Sequence, residues 1–191
     1  MDACRLCLAP ATLQHSHYIP KALYRIVSRG FRQPVLLSAP VHLRTSRQVR
    51  AHQFCSRCEE RLQQKGEDWF LANCWRSVTE FRLHDALQAA RPLARISGGA
   101  LYAGRAVAGV DVDQLCYFAS SIFWRGSLPG WRDPIGRPIE PLQLGPYAES
   151  LRRYLAGDCG FPDGVALLTF VTTWPQDIPL CSSFAMPRFI G

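Results

Sequence analysis

The sequence predicts an α+β protein in two parts. A small zinc-stabilised module over residues 1–90 precedes a mixed helix and strand part of unassigned role over residues 91–191. Three observations lead to this. Two cysteine pairs, Cys4-Arg5-Leu6-Cys7 and Cys55-Ser56-Arg57-Cys58, have the two-residue spacing that turns both sulfurs toward one ion. Helical and strand periodicities mix along the chain without an alternating βαβ order. The run from Arg91-Pro92 to Ser97-Gly98-Gly99 carries the breakers of a linker or turn.

Four thiolates complete a tetrahedral zinc site, and such a closed site is structural rather than catalytic. An iron–sulfur centre or two unrelated pairs are the alternatives. Cys74, Cys116, Cys159 and Cys181 stand alone among apolar neighbours and read as buried free thiols.

Composition bounds the rest. Hydrophobic residues make up 48% of the 191 and charged residues 19%, as in a folded globular chain. The longest strongly apolar run, Val165 to Val171, is far short of the ~20 residues of a membrane span. No basic stretch followed by an apolar one opens the chain, so a secretory signal is not expected. A cytoplasmic protein with reduced cysteines, away from the membrane, is the expectation. Net charge is +7, and Lys21 and Lys65 are the only lysines among 22 basic residues. Arginine forks match phosphate oxygens two at a time, which suits nucleic acid. A GC-rich genome would give the same bias. Arg44, Arg47, Arg50, Arg57 and Arg61 form the densest group, around the second cysteine pair.

Taken in order, Cys4 to Cys7 reads as a knuckle at the tip of a short hairpin. Pro20 followed by Lys-Ala-Leu-Tyr-Arg-Ile-Val reads as a helix with proline near its first turn and Gly30 just past its end. Val35 to Phe54 reads as one or two strands around a turn at Thr45-Ser46. Glu59 to Lys65 is a helix that Gly66 interrupts. Glu67 to Ala90 is a second helical stretch, with Phe70, Trp75, Val78, Phe81 and Leu83 as core contacts.

In the second part, Gly99 to Val110 reads as a β-hairpin of small residues. Asp111 caps a helix reaching Arg125, with Leu115, Phe118, Ile122 and Phe123 on its buried side. Leu128 to Leu144 is a long proline- and glycine-rich loop that its own turns can order. Gly145-Pro146 opens a helix closed by Gly157, and Val165 to Trp174 is a strand. Trp69, Trp75 and Trp124 are expected in the core, with Trp131 exposed on the loop.

The segment Ser16-His17-Tyr18-Ile19-Pro20, set between the two cysteine pairs, resembles the first motif of the HNH, or ββα-metal, nuclease superfamily. More closely, the chain resembles a group of bacterial proteins of unknown function with Ser-His-x-Ile-Pro and Cys-x-x-Cys-Glu motifs and a further glutamate. Here these are Ser16 to Pro20, Cys55 to Glu59, and Glu67. Ile122-Phe123-Trp124-Arg125 and Leu144-Gly145-Pro146-Tyr147 extend the likeness over most of the chain. The resemblance implies a zinc-stabilised ββα module and a metal-dependent endonuclease acting on DNA, in bacterial defence or mobile-element biology.

Under that resemblance His17 is the general base and Glu59 takes the helix position where a metal ligand stands, suiting magnesium or manganese. Ser16, His15, Glu60 and Glu67 are further candidate ligands for a second metal, and Arg57 and Arg61 candidate phosphate contacts. Two departures matter: Ser16 occupies the place of an acid, and the helix histidine or asparagine is missing. The alternative is a catalytically inactive HNH-derived module that binds nucleic acid or a protein partner. In it His17 only packs the knuckle, Glu59 serves the helix dipole and Glu67 caps the next helix. A zinc-ribbon transcription factor fits less well, since no helix concentrates basic and amide side chains as a groove reader does. His42, His52 and His84 are isolated in sequence and receive no role. Residues 91–191 are the expected surface for a homodimer or protein partner.

Overall fold

A computed structural model describes residues 2–30, 35–38, 41–44, 48–77, 79–173 and 179–187, with side chains over 2–26, 48–77 and 79–171. The expected knuckle hairpin is present: β1 (Asp2–Ala3) pairs antiparallel with β2 (Pro10–Ala11), and Cys4 N–H closes the loop on the Ala9 carbonyl at 2.9 Å. Leu8 takes φ 63°, the left-handed conformation needed to turn the chain back after Cys7.

A strand that the sequence reading missed follows at once. β3 (Leu13–His17) carries the Ser-His motif and pairs antiparallel with β6 (Arg50–Cys55), with a register shift between Gln14 and His15. Its residues Gln-His-Ser-His are polar, so hydrophobic alternation is absent and only the partner strand reveals it. Between them lie α1 (Lys21–Gly30) and the hairpin of β4 (Val35–Ser38) with β5 (Val41–Arg44). The expected one or two strands over Val35 to Phe54 are therefore three. The turn expected at Thr45-Ser46 lies outside the described residues, as does the core contact expected of Val78.

The helix beginning beside Cys58 corrects the expectation at Gly66. α2 (Ser56–Leu62) runs through a π turn at Gln63–Glu67 directly into α3 (Asp68–Asn73), with helical backbone at both joins. Gly66 does not break the helix. A Cβ there would sit 2.9 Å from the Phe118 Cα, so glycine is needed for close approach of the helix α5 (Val112–Gly126). The expected continuous helix to Ala90 is instead broken after Asn73, where Cys74 and Trp75 N–H both turn back to the Phe70 carbonyl. Helix resumes as α4 (Arg82–Ala89).

The hairpin expected over Gly99 to Val110 lies earlier. β7 (Ala94–Ile96) pairs with β8 (Gly99–Leu101) around Ser97-Gly98, whose glycine takes φ 76°. Asp111 does cap α5, accepting from the N–H groups of Asp113 and Gln114 at 3.1 Å. Leu115 and Phe118 are buried on that helix, while Ile122 and Phe123 are half-buried and Trp124 and Arg125 take the deep positions. α6 (Tyr147–Ala156) ends as expected at Gly157, in the left-handed conformation. β9 (Val165–Thr173) pairs with β10 (Pro179–Pro187), a strand the sequence reading did not include.

Two hydrophobic clusters hold these elements, and both draw on residues from each side of the 90/91 junction. One packs Leu6, Phe54, Cys58 and Leu62 against Tyr117, Trp124, Leu151 and Leu155. The other packs Phe70, Trp75, Phe81 and Leu83 against Leu115 and Phe118. Trp75 and Trp124 are in the core as expected, and Trp69 is half-buried. Trp131, expected to be exposed, is 1% exposed instead. Its indole N–H donates to the Arg125 carbonyl at 2.6 Å, which satisfies the polar end and lets the ring bury. Cys159 is exposed and Cys116 half-buried, against the expectation of buried thiols; Cys74 is buried, and the Cys181 side chain lies outside the described set. No helix among the described residues is long and apolar enough to cross a membrane.

Candidate metal centre and the adjoining polar cluster

The four cysteines of the two pairs converge. The knuckle supplies Cys4 and Cys7, the end of β6 supplies Cys55, and the first turn of α2 supplies Cys58. All four Sγ atoms lie within 4.8 Å of one another. A tetrahedron with Zn–S bonds of ~2.3 Å has sulfur–sulfur edges of about 3.8 Å, and the Cys7 and Cys55 sulfurs stand 3.9 Å apart. The donor set thus fits zinc. The scaffold is braced from two sides: Arg5 N–H donates to the Gln53 carbonyl at 3.0 Å, and Arg152 Nη1 on α6 donates to the Leu6 carbonyl at 2.6 Å.

Burial opposes ionisation of Cys4, yet hydrogen bonds from the backbone at Cys7, Cys55 and Leu6 outweigh it and bring its pKa down to about 7. The Cys55 N–H lies 3.3 Å from the Cys4 sulfur. Cys58, buried beside the other sulfurs, is pushed far up. Four sulfurs gathered this closely are the setting in which a divalent cation stabilises the thiolate forms.

The motif residues lie behind this centre, where β3 meets α2. Ser16 is 2% exposed. Its hydroxyl donates to the Gln14 carbonyl at 3.3 Å and also engages Glu59 on α2. Burial raises the Glu59 carboxyl pKa, Ser16 and Arg125 pull it back, and Glu67 adds to the rise. One Glu59 oxygen, Oε1, is buried without a partner. Glu67, in the π turn, accepts from Arg125 Nη2 at 2.6 Å. Arg125 was absent from the expected site set. A lone arginine on the apolar face of α5, in Phe-Trp-Arg-Gly, was the signal available for it.

His17 is half-buried on β3, and its Nε2 is buried without a partner. Burial lowers its pKa below the ordinary histidine value, and Arg50, Lys21, His15 and Arg125 lower it further. Burial and the Arg50, Lys21 and Arg125 charges thus favour the neutral imidazole over the imidazolium.

The remaining candidates are elsewhere. His15 is exposed and stacks on His52, with ring centroids 5.0 Å apart. Glu60 is exposed and accepts from Gln64 at 2.9 Å. Arg57 is exposed on α2. Arg61 lies against Gly157 at the C-terminus of α6, where a cation complements the helix dipole. Among the described residues, the four cysteines are the one group of three or more His, Cys, Asp or Glu side chains drawn together tightly enough for a metal. The structure thus brings together Ser16, Glu59, Glu67 and Arg125; His17, next on β3, is linked to them through the Arg125 charge, and His15, Glu60, Arg57 and Arg61 lie outside. No family model, curated protein or solved structure matches the chain.

Proposed function

We propose that this chain is a zinc-stabilised, HNH-like endonuclease that hydrolyses phosphodiester bonds in DNA, with His17 as the general base. The observation that carries this reading is the state of His17. A base must be unprotonated and have a free lone pair within reach of water. Burial and neighbouring charges favour the neutral form of His17, and its Nε2 has no protein partner; that atom is buried, so water reaches it only when the surrounding side chains open. The surrounding cations draw a phosphate toward it. The order β3, β6, α2 supports a ββα module, in which the zinc centre fixes the strand pair against the helix.

His17 Nε2 takes a proton from the water that attacks phosphorus. From the protein side, the Ser16 hydroxyl and the Arg125 charge favour the Glu59 carboxylate, while burial and Glu67 oppose it. Glu59 Oε1, buried and unpartnered, is a hard oxygen of the kind magnesium or manganese takes. Such an ion, when bound, would supply charge stabilisation at the phosphate and its leaving oxygen.

The absence of a second compact ligand cluster among the described residues favours one other reading, an inactive module that binds nucleic acid or a protein. Leu93, Ile96 and Leu101, exposed on and beside the β7–β8 hairpin, support a partner surface within residues 91–191.

Plasmid and single-stranded DNA incubated with magnesium, manganese or nickel separates the two. The nuclease reading expects cleavage by the wild type and a loss of about 100-fold or more in His17→Ala, the usual share of a general base. Equal activity in both proteins overturns it. DNA binding without cleavage leaves the module reading.

A further inference from the structure

We infer that a second, phosphate-binding subsite lies beside His17, in a cleft of about 280 Å³ lined by Gln48, Arg50, Arg132, Asp133 and Pro134. Its ligand is a phosphodiester of the nucleic-acid strand, neighbouring the one presented to His17. The inference rests on the nuclease reading for the identity of the strand.

The cleft is built by β6 and the loop that follows α5. Arg50 is the cross-strand partner of His17 in the β3–β6 pair, so one wall begins one strand away from the base. Arg132 forms an antiparallel bridge with Arg50 and another with Pro138, which lays the loop along the edge of β6. Both arginines thereby line one opening. Within a protein of net charge +7, such like charges side by side repel unless an anion joins them.

The one carboxylate in the lining is already compensated. Asp133 Oδ1 accepts from the N–H groups of Ile135 and Arg137 at 2.9 Å, and Oδ2 accepts from Arg137 Nε at 2.7 Å. Arg132 commits Nη1 to the Gly136 carbonyl at 2.8 Å, which fixes the side chain while leaving the other edge of the fork for a ligand. Two buried polar atoms of the lining, Arg50 Nε and Gln48 Oε1, have no partner. The orphaned Arg50 Nε is a donor of the kind a phosphate oxygen satisfies, whereas Gln48 Oε1, an acceptor, gains nothing from a phosphodiester. The cleft's small volume suits a short stretch of strand rather than a whole duplex.

The expected phosphate contacts, Arg57 and Arg61, are not part of this lining. Both lie on α2, and Arg61 is turned against Gly157. Arg50 and Arg132 share the β3–β6 edge with His17.

The test uses the full zinc-loaded chain and short fluorescein-labelled single-stranded and duplex DNA, with affinity followed by anisotropy against salt. Arg132→Gln is the variant of choice because its side chain is exposed and its loss should spare the fold. Arg95→Gln, exposed on β7, is the control. Losing one charged contact should weaken binding about tenfold and reduce the slope of log affinity against log salt by about 1, with Arg95→Gln unchanged. Arg50→Gln should repeat the loss while keeping the wild-type melting temperature. Unchanged affinity and slope in Arg132→Gln, while the wild type binds and cleaves, overturns the subsite and leaves the nuclease reading standing. Loss of binding in Arg132→Gln, with a wild type that binds but never cleaves, upholds the subsite and removes the nuclease. A wild type that binds neither DNA at low salt overturns both.

Discussion

Arg125 on α5 and Glu67 in the π turn form an ion pair of 2.6 Å, with 2% and 15% of their side chains exposed. The pair ties the second part of the chain to the helix that carries Cys58 of the candidate metal centre. Arg125 also lies over the Phe54 ring, 5.9 Å from its centroid, and its carbonyl receives the Trp131 indole N–H. Such a pair is costly to break from one side, because the remaining charge stays buried. Arg125→Met should therefore destabilise the fold by about 3–5 kcal/mol. Adding Glu67→Gln should restore much of that loss, since no unpaired charge remains. Urea unfolding of the two singles and the double reads the coupling. Additive losses would mean that the two side chains act independently.

The thiolate cluster predicts one zinc per chain by elemental analysis and unfolding of the knuckle on chelation. Folding free energy linked to such a site is on the order of 10 kcal/mol. Cys58→Ser should lose both metal and thermal stability, whereas Cys159→Ser, exposed and outside the cluster, should keep both. A melting temperature indifferent to a strong chelator would refute the assignment.

His17 predicts the acid limb of the pH profile. Its folded pKa is depressed by burial and by Arg50, Lys21, His15 and Arg125, so the base is lost only as pH falls below the ordinary value of about 6.5. Cleavage measured as kcat/KM should stay flat through neutrality and fall below that point. The same group affects stability with a definite sign. Between the ordinary pKa and the lower folded one, the unfolded chain binds the proton and the folded chain does not. Stability is intact above about pH 6.5 and declines as pH falls through that window. Lys21→Gln removes one of the cations and should move the limb upward. A limb that does not move would assign the titration to another group.

Gly66 predicts a packing limit. A methyl group placed 2.9 Å from the Phe118 backbone must push α5 away from the π turn. Gly66→Ala should cost about 1–3 kcal/mol by overpacking, although alanine favours helix in the abstract. Thermal melting decides it: an equal or higher melting temperature would mean the two backbones can separate freely.

The contrast at Gly66 shows what could be read from the sequence. Two Cys-x-x-Cys pairs define a ligand set by spacing alone, and Asp111 and Gly157 mark helix ends by local chemistry, so these were legible. Glycine in a helical run suggests a break when read locally. Its real reason, the Phe118 backbone, lies about fifty residues away in the chain and is invisible to periodicity. β3 failed for a related reason. Gln14, His15, Ser16 and His17 carry no apolar alternation, and only pairing with β6 makes them a strand. At the candidate site, the motif singles out His17 and Glu59. Arg125 was missed as a site residue because a buried arginine is expected nowhere until its partner is known. Trp131 was assigned to solvent because its loop is rich in proline and glycine, yet one carbonyl of α5 was enough to bury it.

The π turn also sets an angular phase. Two turns of an ordinary α-helix take about 7.2 residues, and one extra residue in a wide turn stretches that repeat to about eight. Glu59 and Glu67 are eight apart, and the turn at Gln63–Glu67 falls between them. In a regular helix the two carboxylates would diverge by roughly 80° around the axis; the wide turn narrows that angle, and the Glu67 charge reaches Glu59. Deleting one residue from this turn would keep the helix and every side chain of the polar cluster, yet rotate Glu67 out of reach of Arg125. The helix therefore works as a phase adjuster: its irregular turn, rather than any single side chain, decides which acids share a face.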